Sequence, residues 1–214
     1  MLYNEIIARQ IADFLLEIKA VLLKPNDPFT WASGWKSPIY CDNRLVLSEL
    51  DARNYLKTNW AEAIKNVFHG ANALAGVATA GIAHAALLAD ALQLPMAYVR
   101  SKPKEHGTGK NIEGKLADGS KAVVIEDLIS TGKSSLQAVH SLRDEGVKVE
   151  GLFAIFTYDF PEAQKAFDDA GVTFYTLCSY PVLLERALEK KYIAQEDLSL
   201  LQSWRENPSV WGKK

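Results

Sequence analysis

The sequence predicts an open α/β fold, in which a mostly parallel sheet is covered by helices on both faces. Three observations carry this. Short apolar runs with strand character alternate with longer stretches of helical period, and such alternation implies right-handed crossovers and a sheet buried on both sides. The small, polar or charged turns at 79–82, 100–109 and 126–134 each follow an apolar run, which is the edge where an open α/β sheet holds its ligand. Finally, 214 residues with 48% apolar content suffice for one domain with a sizeable core.

In chain order, residues 4–23 have a helical period, with Ile7, Ile11, Phe14, Leu15, Ile18 and Leu22 on one face. Residues 28–46 are turn-rich, with short strands expected near 30 and 40. Ser48 with Asp51 reads as a helix N-cap pair, opening a helix that runs towards Phe68 and stops before Gly70. Residues 73–77 form the first buried strand, 79–82 a small-residue turn, and 82–93 a helix stopped by Pro95. Residues 96–100 are the next strand. Beyond a loop at 101–111, residues 111–116 and 121–126 are expected to pair as a hairpin across Asp118 and Gly119. Helix 133–145 ends at Gly146, and strand 149–157, helix 161–170, strand 172–177 and helix 181–191 complete the pattern. With no internal repeat, low-complexity tract or linker, 1–214 reads as one domain.

The most informative stretch is 121–135. Ala122, Val123, Val124 and Ile125 read as a buried strand that ends in two adjacent acids, Glu126 and Asp127. Leu128 and Ile129 lead into Ser130, Thr131, Gly132, Lys133 and Ser134, and an amphipathic helix carries Leu136, Val139 and Leu142 on one face. The turn and the positive end of the helix dipole suit a phosphate. The acids suit sugar hydroxyls or a cation. A ligand with a phosphate at one end and a diol at the other is a ribose 5-phosphate. A nucleotide P-loop is the rival, but its first glycine would fall at Asp127, whose charge would repel the phosphates.

This stretch resembles the 5-phosphoribosyl-1-pyrophosphate (PRPP) binding motif of type I phosphoribosyltransferases. A second motif narrows the likeness. Arg100, Lys102, Lys104, His106 and Gly107 follow the apolar run ending at Val99, with Gly109, Lys110 and Gly114 beyond. The spacing Arg-x-x-x-Lys-x-His-Gly resembles the flexible catalytic loop of orotate phosphoribosyltransferases. A third segment holds Phe29, Thr30, Ser33, Gly34, Ser37, Pro38 and Tyr40, and is similar to the N-terminal stretch that covers orotate in that family. The chain departs from common family residues at Ala32, Thr79, Ala80 and Ser101.

The resemblance implies the type I phosphoribosyltransferase fold, with a small N-terminal hood (1–46) over a core (47–190). It implies transfer of ribose 5-phosphate from PRPP to orotate, giving orotidine 5′-monophosphate and pyrophosphate in pyrimidine (UMP) synthesis. Lys104, His106 and Asp127 are the implied catalytic residues. PRPP would be held by Arg100, Lys104, His106, Glu126, Asp127, Leu128, Ile129, Ser130, Thr131, Gly132, Lys133 and Ser134, and orotate by Ser130 and Tyr40. The implied cofactor is Mg²⁺, held mainly by PRPP and water. The implied assembly is a homodimer in which loop 100–110 completes the partner's site. A purine phosphoribosyltransferase would share the PRPP motif but lack the other two segments. A PRPP-sensing regulator would need a DNA-binding module and a basic surface.

Composition narrows the remaining classes. Twenty-four basic against 26 acidic residues give a net charge of −2, which offers no general field for nucleic acid. Cys41 and Cys178 are the two cysteines, with no C-x-x-C, so a reducing compartment is expected. The N-terminus lacks the pattern of a signal peptide, and apolar runs fall short of the ~20 residues of a membrane helix. The expectation is a cytoplasmic protein without membrane or nucleic-acid partners. No His/Cys/Asp cluster has zinc-ligand spacing, and the serines lack a G-x-S-x-G setting.

Overall fold

The computed structural model describes residues 1–31, 33–101 and 111–212. Helix α1 (Glu5–Glu17) opens on Asn4, whose side chain accepts the Ile7 amide hydrogen bond at 3.0 Å. It ends six residues before the apolar period does: Lys19 adopts a left-handed backbone (φ 58°) and the chain turns into a strand. Four short strands follow, β1 (Val21–Leu23), β2 (Phe29–Thr30), β3 (Lys36–Ser37) and β4 (Ile39–Cys41). β1 pairs with β4 and β2 with β3, both antiparallel. Leu22, assigned to the helix by periodicity, lies instead opposite Tyr40. Tertiary pairing has overridden a local period.

A 3-10 helix (Asn43–Ser48) comes next, with Asp42 accepting the Arg44 amide at 3.1 Å. Its presence displaces the expected Ser48 cap. Helix α2 (Leu50–Val67) begins after Glu49 with no side-chain cap bond. Then come β5 (Ala73–Val77), α3 (Ala80–Leu92), β6 (Met96–Val99), β7 (Ile112–Glu113), β8 (Lys121–Ile129), α4 (Lys133–Asp144), β9 (Lys148–Thr157), α5 (Pro161–Asp169), β10 (Phe174–Ser179) and α6 (Tyr180–Glu189). A 3-10 turn (Gln195–Asp197) and α7 (Leu198–Glu206) extend the pattern past the expected last helix.

Six strands form one sheet in the order β10-β9-β8-β5-β6-β7, parallel except for β7. The expected hairpin of 111–116 with 121–126 does not form. β8 is flanked by β5 and β9, so β7 pairs with β6 instead, placing Ile112 opposite Val99. From β5 the chain crosses through α3 to β6; from β8 it crosses through α4 to β9, in the opposite direction. Right-handed crossovers therefore put α3 on one face and α4 on the other, and the order reverses between β5 and β8. The crevice at the carboxyl ends of those two strands is the ligand position this topology creates.

The core lies along β8 and β9. Ala122, Val123, Val124 and Ile125 are fully buried, as are Phe153 and Phe156, each large apolar side chain adding roughly 1.5–3 kcal/mol. On one face α1 packs against β10 and α6, and α2 against α3. Close packing at the switch point requires glycine: a Cβ on Gly81 would stand 2.5 Å from the Ile125 carbonyl oxygen. Without a side chain there, the first turn of α3 sits directly on β8, one residue before Glu126.

Candidate functional site

β8 runs through Glu126 and Asp127 to Ile129, further than the apolar run suggests, because Leu128 and Ile129 continue the ladder with Phe156 and Thr157 of β9. The chain then turns through Ser130, Thr131 and Gly132 into α4. Gly132 caps that helix in the left-handed region (φ 79°), and a Cβ there would meet the Phe167 ring at 2.8 Å. Ser134 lies in the exposed first turn of α4, where backbone N–H groups and the helix dipole favour an anion. Residues 130–134 thus form the turn between β8 and α4, with Ser134 in the helix's first turn.

The two acids behave differently. Glu126 is 4% exposed. Its Oε1 accepts the Asp127 N–H at 3.0 Å, and its Oε2 accepts the hydroxyls of Ser135 at 3.1 Å and Ser134 at 3.5 Å. It fastens the strand end to the first turn of α4. Burial, and then the charge of Asp127, push its carboxyl well above the ordinary range. Asp127 is half-buried. Burial raises it too, against a hydrogen bond with Glu126, backbone amides and the charge of Arg44. Asp127 is the more open of the two acids at this strand end.

Asn43 was not among the candidates and belongs with them. It is fully buried, donates from Nδ2 to the Asp127 carbonyl at 2.8 Å, and accepts from the Cys41 thiol at 3.3 Å. It ties the N-terminal strands to the acid-bearing strand. In sequence its only signal is its place in the polar run after Tyr40. Arg44 binds Asp42 through both carboxylate oxygens, at 2.6 and 2.8 Å, and these bonds hold the Asp42 carboxyl below its usual range.

A cleft of about 470 Å³ opens beside this acid, lined by Phe29, Thr30, Trp31, Tyr40, Cys41, Leu128, Ser130 and Tyr158. Both sequence-derived acceptor candidates, Ser130 and Tyr40, line it. Trp31 does as well, while Trp35 stacks behind it at 6.4 Å. Trp31 commits its indole N–H to the Ile39 carbonyl at 3.2 Å, so it offers a ring face rather than a donor. Tyr158 follows β9 at the ligand edge and could have been found from that position. Burial pushes the Cys41 thiol up, which keeps it protonated rather than nucleophilic. Flat rings with a few hydroxyls suit a planar heterocycle.

The ends of the basic loop are placed, and both lie beside α4. The Arg100 amide donates to the Asn111 carbonyl at 2.9 Å, and Arg100 Nη1 is 3.6 Å from Glu113 Oε1. Gln137 donates to the Ser101 carbonyl at 2.9 Å, and Asn111 reaches Ser141 at 3.5 Å. Lys102, Lys104, His106 and Lys110 lie outside the described residues, as does Ala32. Among the described residues no group of three or more His, Cys, Asp or Glu side chains is arranged to hold a metal ion, and no helix is long and apolar enough to cross a membrane.

Comparison with known proteins agrees with this geometry. A family model described as "Phosphoribosyl transferase domain" matches residues 48–181. The chain is 55% identical over 207 residues to an orotate phosphoribosyltransferase of Listeria innocua, covering 97% of this chain and 99% of that one. It is 53% identical over 213 residues to the orotate phosphoribosyltransferase of Bacillus subtilis (strain 168), covering 99% of each. A crystal structure of orotate phosphoribosyltransferase from Aeropyrum pernix superposes with a TM-score of 0.75 at 28% identity, covering 86% of this chain and 99% of that one.

Proposed function

The chain belongs to the phosphoribosyl transferase domain family, and from that premise we propose that it transfers ribose 5-phosphate from PRPP to orotate. The products are orotidine 5′-monophosphate and pyrophosphate, a step in pyrimidine nucleotide synthesis. One observation carries the reading: a single strand end borders both a flat aromatic cleft and the first turn of a helix. Leu128 and Ser130 wall the flat aromatic cleft, and the next residues open the anion cradle at α4. A base lying in the cleft and a phosphate at 131–134 would bring the sugar between them past Asp127.

In the reaction, the anomeric carbon–oxygen bond to pyrophosphate breaks and a bond to the base nitrogen forms. Positive charge develops on the sugar and negative charge on the leaving group. Asp127 faces the sugar as an anion and stabilises the former. Arg100, Lys104 and His106 take the latter, with Lys102 beside them. Charges placed where charge develops contribute most to catalysis. Glu126, accepting from Ser134 and Ser135, positions rather than reacts. A Mg²⁺ brought with PRPP would be held mainly by the diphosphate and water, which that ion favours, with Asp127 the half-buried acid at the strand end, and it would supply positive charge to offset the diphosphate. Residues 1–46 act as the hood over a core of 47–190, and loop 100–110 closes to exclude water. The cysteine usage supports a cytoplasmic setting.

Pyrophosphate release with PRPP and orotate, uracil, adenine or hypoxanthine tests the reading. Orotate should be the acceptor used, and preference for a purine would refute it. We propose further that the loop completes the site of a second subunit. Mixing Lys104→Ala and Asp127→Asn chains should then restore activity in exchanged dimers, and no recovery after confirmed exchange would place each loop over its own site.

A further inference from the structure

The proposed acceptor is an anion, since orotate carries a carboxylate that uracil lacks. This inference rests on the reading above and concerns what recognises that carboxylate. A charge brought against aromatic walls needs a positive partner. Among the described residues, neighbouring cations are bound to acids: Arg44 to Asp42, Arg205 to Asp159 at 3.0 Å, and Lys24, over the Phe29 ring, to Asp27 at 3.5 Å. Lys36 is placed differently. Its Nζ donates to the Thr30 hydroxyl at 2.8 Å, and Thr30 lines the cleft. The register of β2 with β3 sets Thr30 opposite Lys36, so the ammonium is carried to the cleft mouth by strand pairing.

The C-terminal segment fixes the base of this side chain. Trp204 of α7 donates its indole N–H to the Lys36 carbonyl at 3.2 Å, and a Cβ on Gly212 would stand 3.2 Å from the Lys36 Cβ. Trp204 is itself fully buried, edge-on to the cleft residues Trp31 at 5.7 Å and Tyr158 at 5.3 Å. The lysine is thus a projecting cation on a braced strand, with a neutral hydroxyl on its head group. We infer that Lys36 is the specificity-determining residue of the acceptor cleft: its ammonium takes the carboxylate of the base and selects an acidic pyrimidine over a neutral one.

The test measures the orotate KM, the PRPP KM and the inhibition constant of uracil as a neutral competitor, in the wild-type chain and in Lys36→Gln and Lys36→Met. Loss of one partly exposed charge-assisted contact should raise the orotate KM about tenfold. The PRPP KM and the uracil constant should stay in place. The ratio of orotate to uracil recognition, read within one protein, is insensitive to a fraction of misfolded chain. An unchanged ratio in either variant overturns the inference, as does an equal rise in the PRPP KM. Absence of orotate turnover in the wild-type chain would instead sink the reading on which it rests.

Discussion

Acidification should weaken this fold through His84. That side chain lies on α3, 4% exposed, with its ring 5.9 Å from Trp60. Among the described residues its Nε2 has no hydrogen-bond partner. Burial pushes its pKa from 6.5 down to about 4. The unfolded chain therefore binds a proton more readily than the folded one. The stability this contributes is whole above 6.5 and is lost as pH falls towards 4. At ~1.36 kcal/mol per pH unit the full window is worth about 3 kcal/mol, and linkage puts the loss by about pH 5 at roughly 2 kcal/mol. Urea unfolding of the wild type and of His84→Phe, at about pH 7.5 and about pH 5, isolates this group, because every other titration is common to both chains. His84→Phe should lose roughly 2 kcal/mol less. Equal losses in the two proteins would refute the assignment of a neutral, buried imidazole to this site.

Three further substitutions follow from the same contacts. Asp127→Asn removes the anion facing the sugar and should lower kcat/KM by about one to three orders of magnitude with little change in urea midpoint; wild-type turnover would remove Asp127 from the mechanism. Gly132→Ala places a Cβ against Phe167 in a left-handed backbone and should cost about 2 kcal/mol, with a raised PRPP KM and an orotate KM near wild type. Trp204→Ala opens a hole behind the acceptor cleft and should cost about 3–5 kcal/mol in thermal or urea unfolding; a loss under 1 kcal/mol would mean that α7 does not brace the core.

What could be read from the chain was what depends on local pattern. The turn at 130–134, with Gly132 and the hydroxyls around it, is one contiguous segment, and the strand–turn–helix order specifies its geometry. The order of the sheet elements was legible for the same reason. Partners were not. Residues 111–113 carry no mark that sends them to β6 rather than β8, since strand pairing is decided by which edge is left open. Val21 to Leu23 keep a helical period and become a strand because β4 lies beside them. Nothing in the sequence told that α4 would supply Ser134 and Ser135 to one acid of the pair, Glu126. Asn43 gained its role through a bond across 84 residues, which no spacing could announce. Helix α7 had a weak signal in Leu198, Leu201 and Trp204, and its importance lies in what Trp204 touches.

On the proposed reading, one crevice at the carboxyl end of β8 holds the phosphate and the base of a single nucleotide product. A crystal structure with orotidine 5′-monophosphate bound tests it most directly. The phosphate is expected on the amides of 131–134, the ribose hydroxyls at Asp127, and the pyrimidine ring in the cleft walled by Trp31, Tyr40 and Tyr158. A nucleotide bound with its base outside that cleft, or with its phosphate away from the first turn of α4, would contradict it.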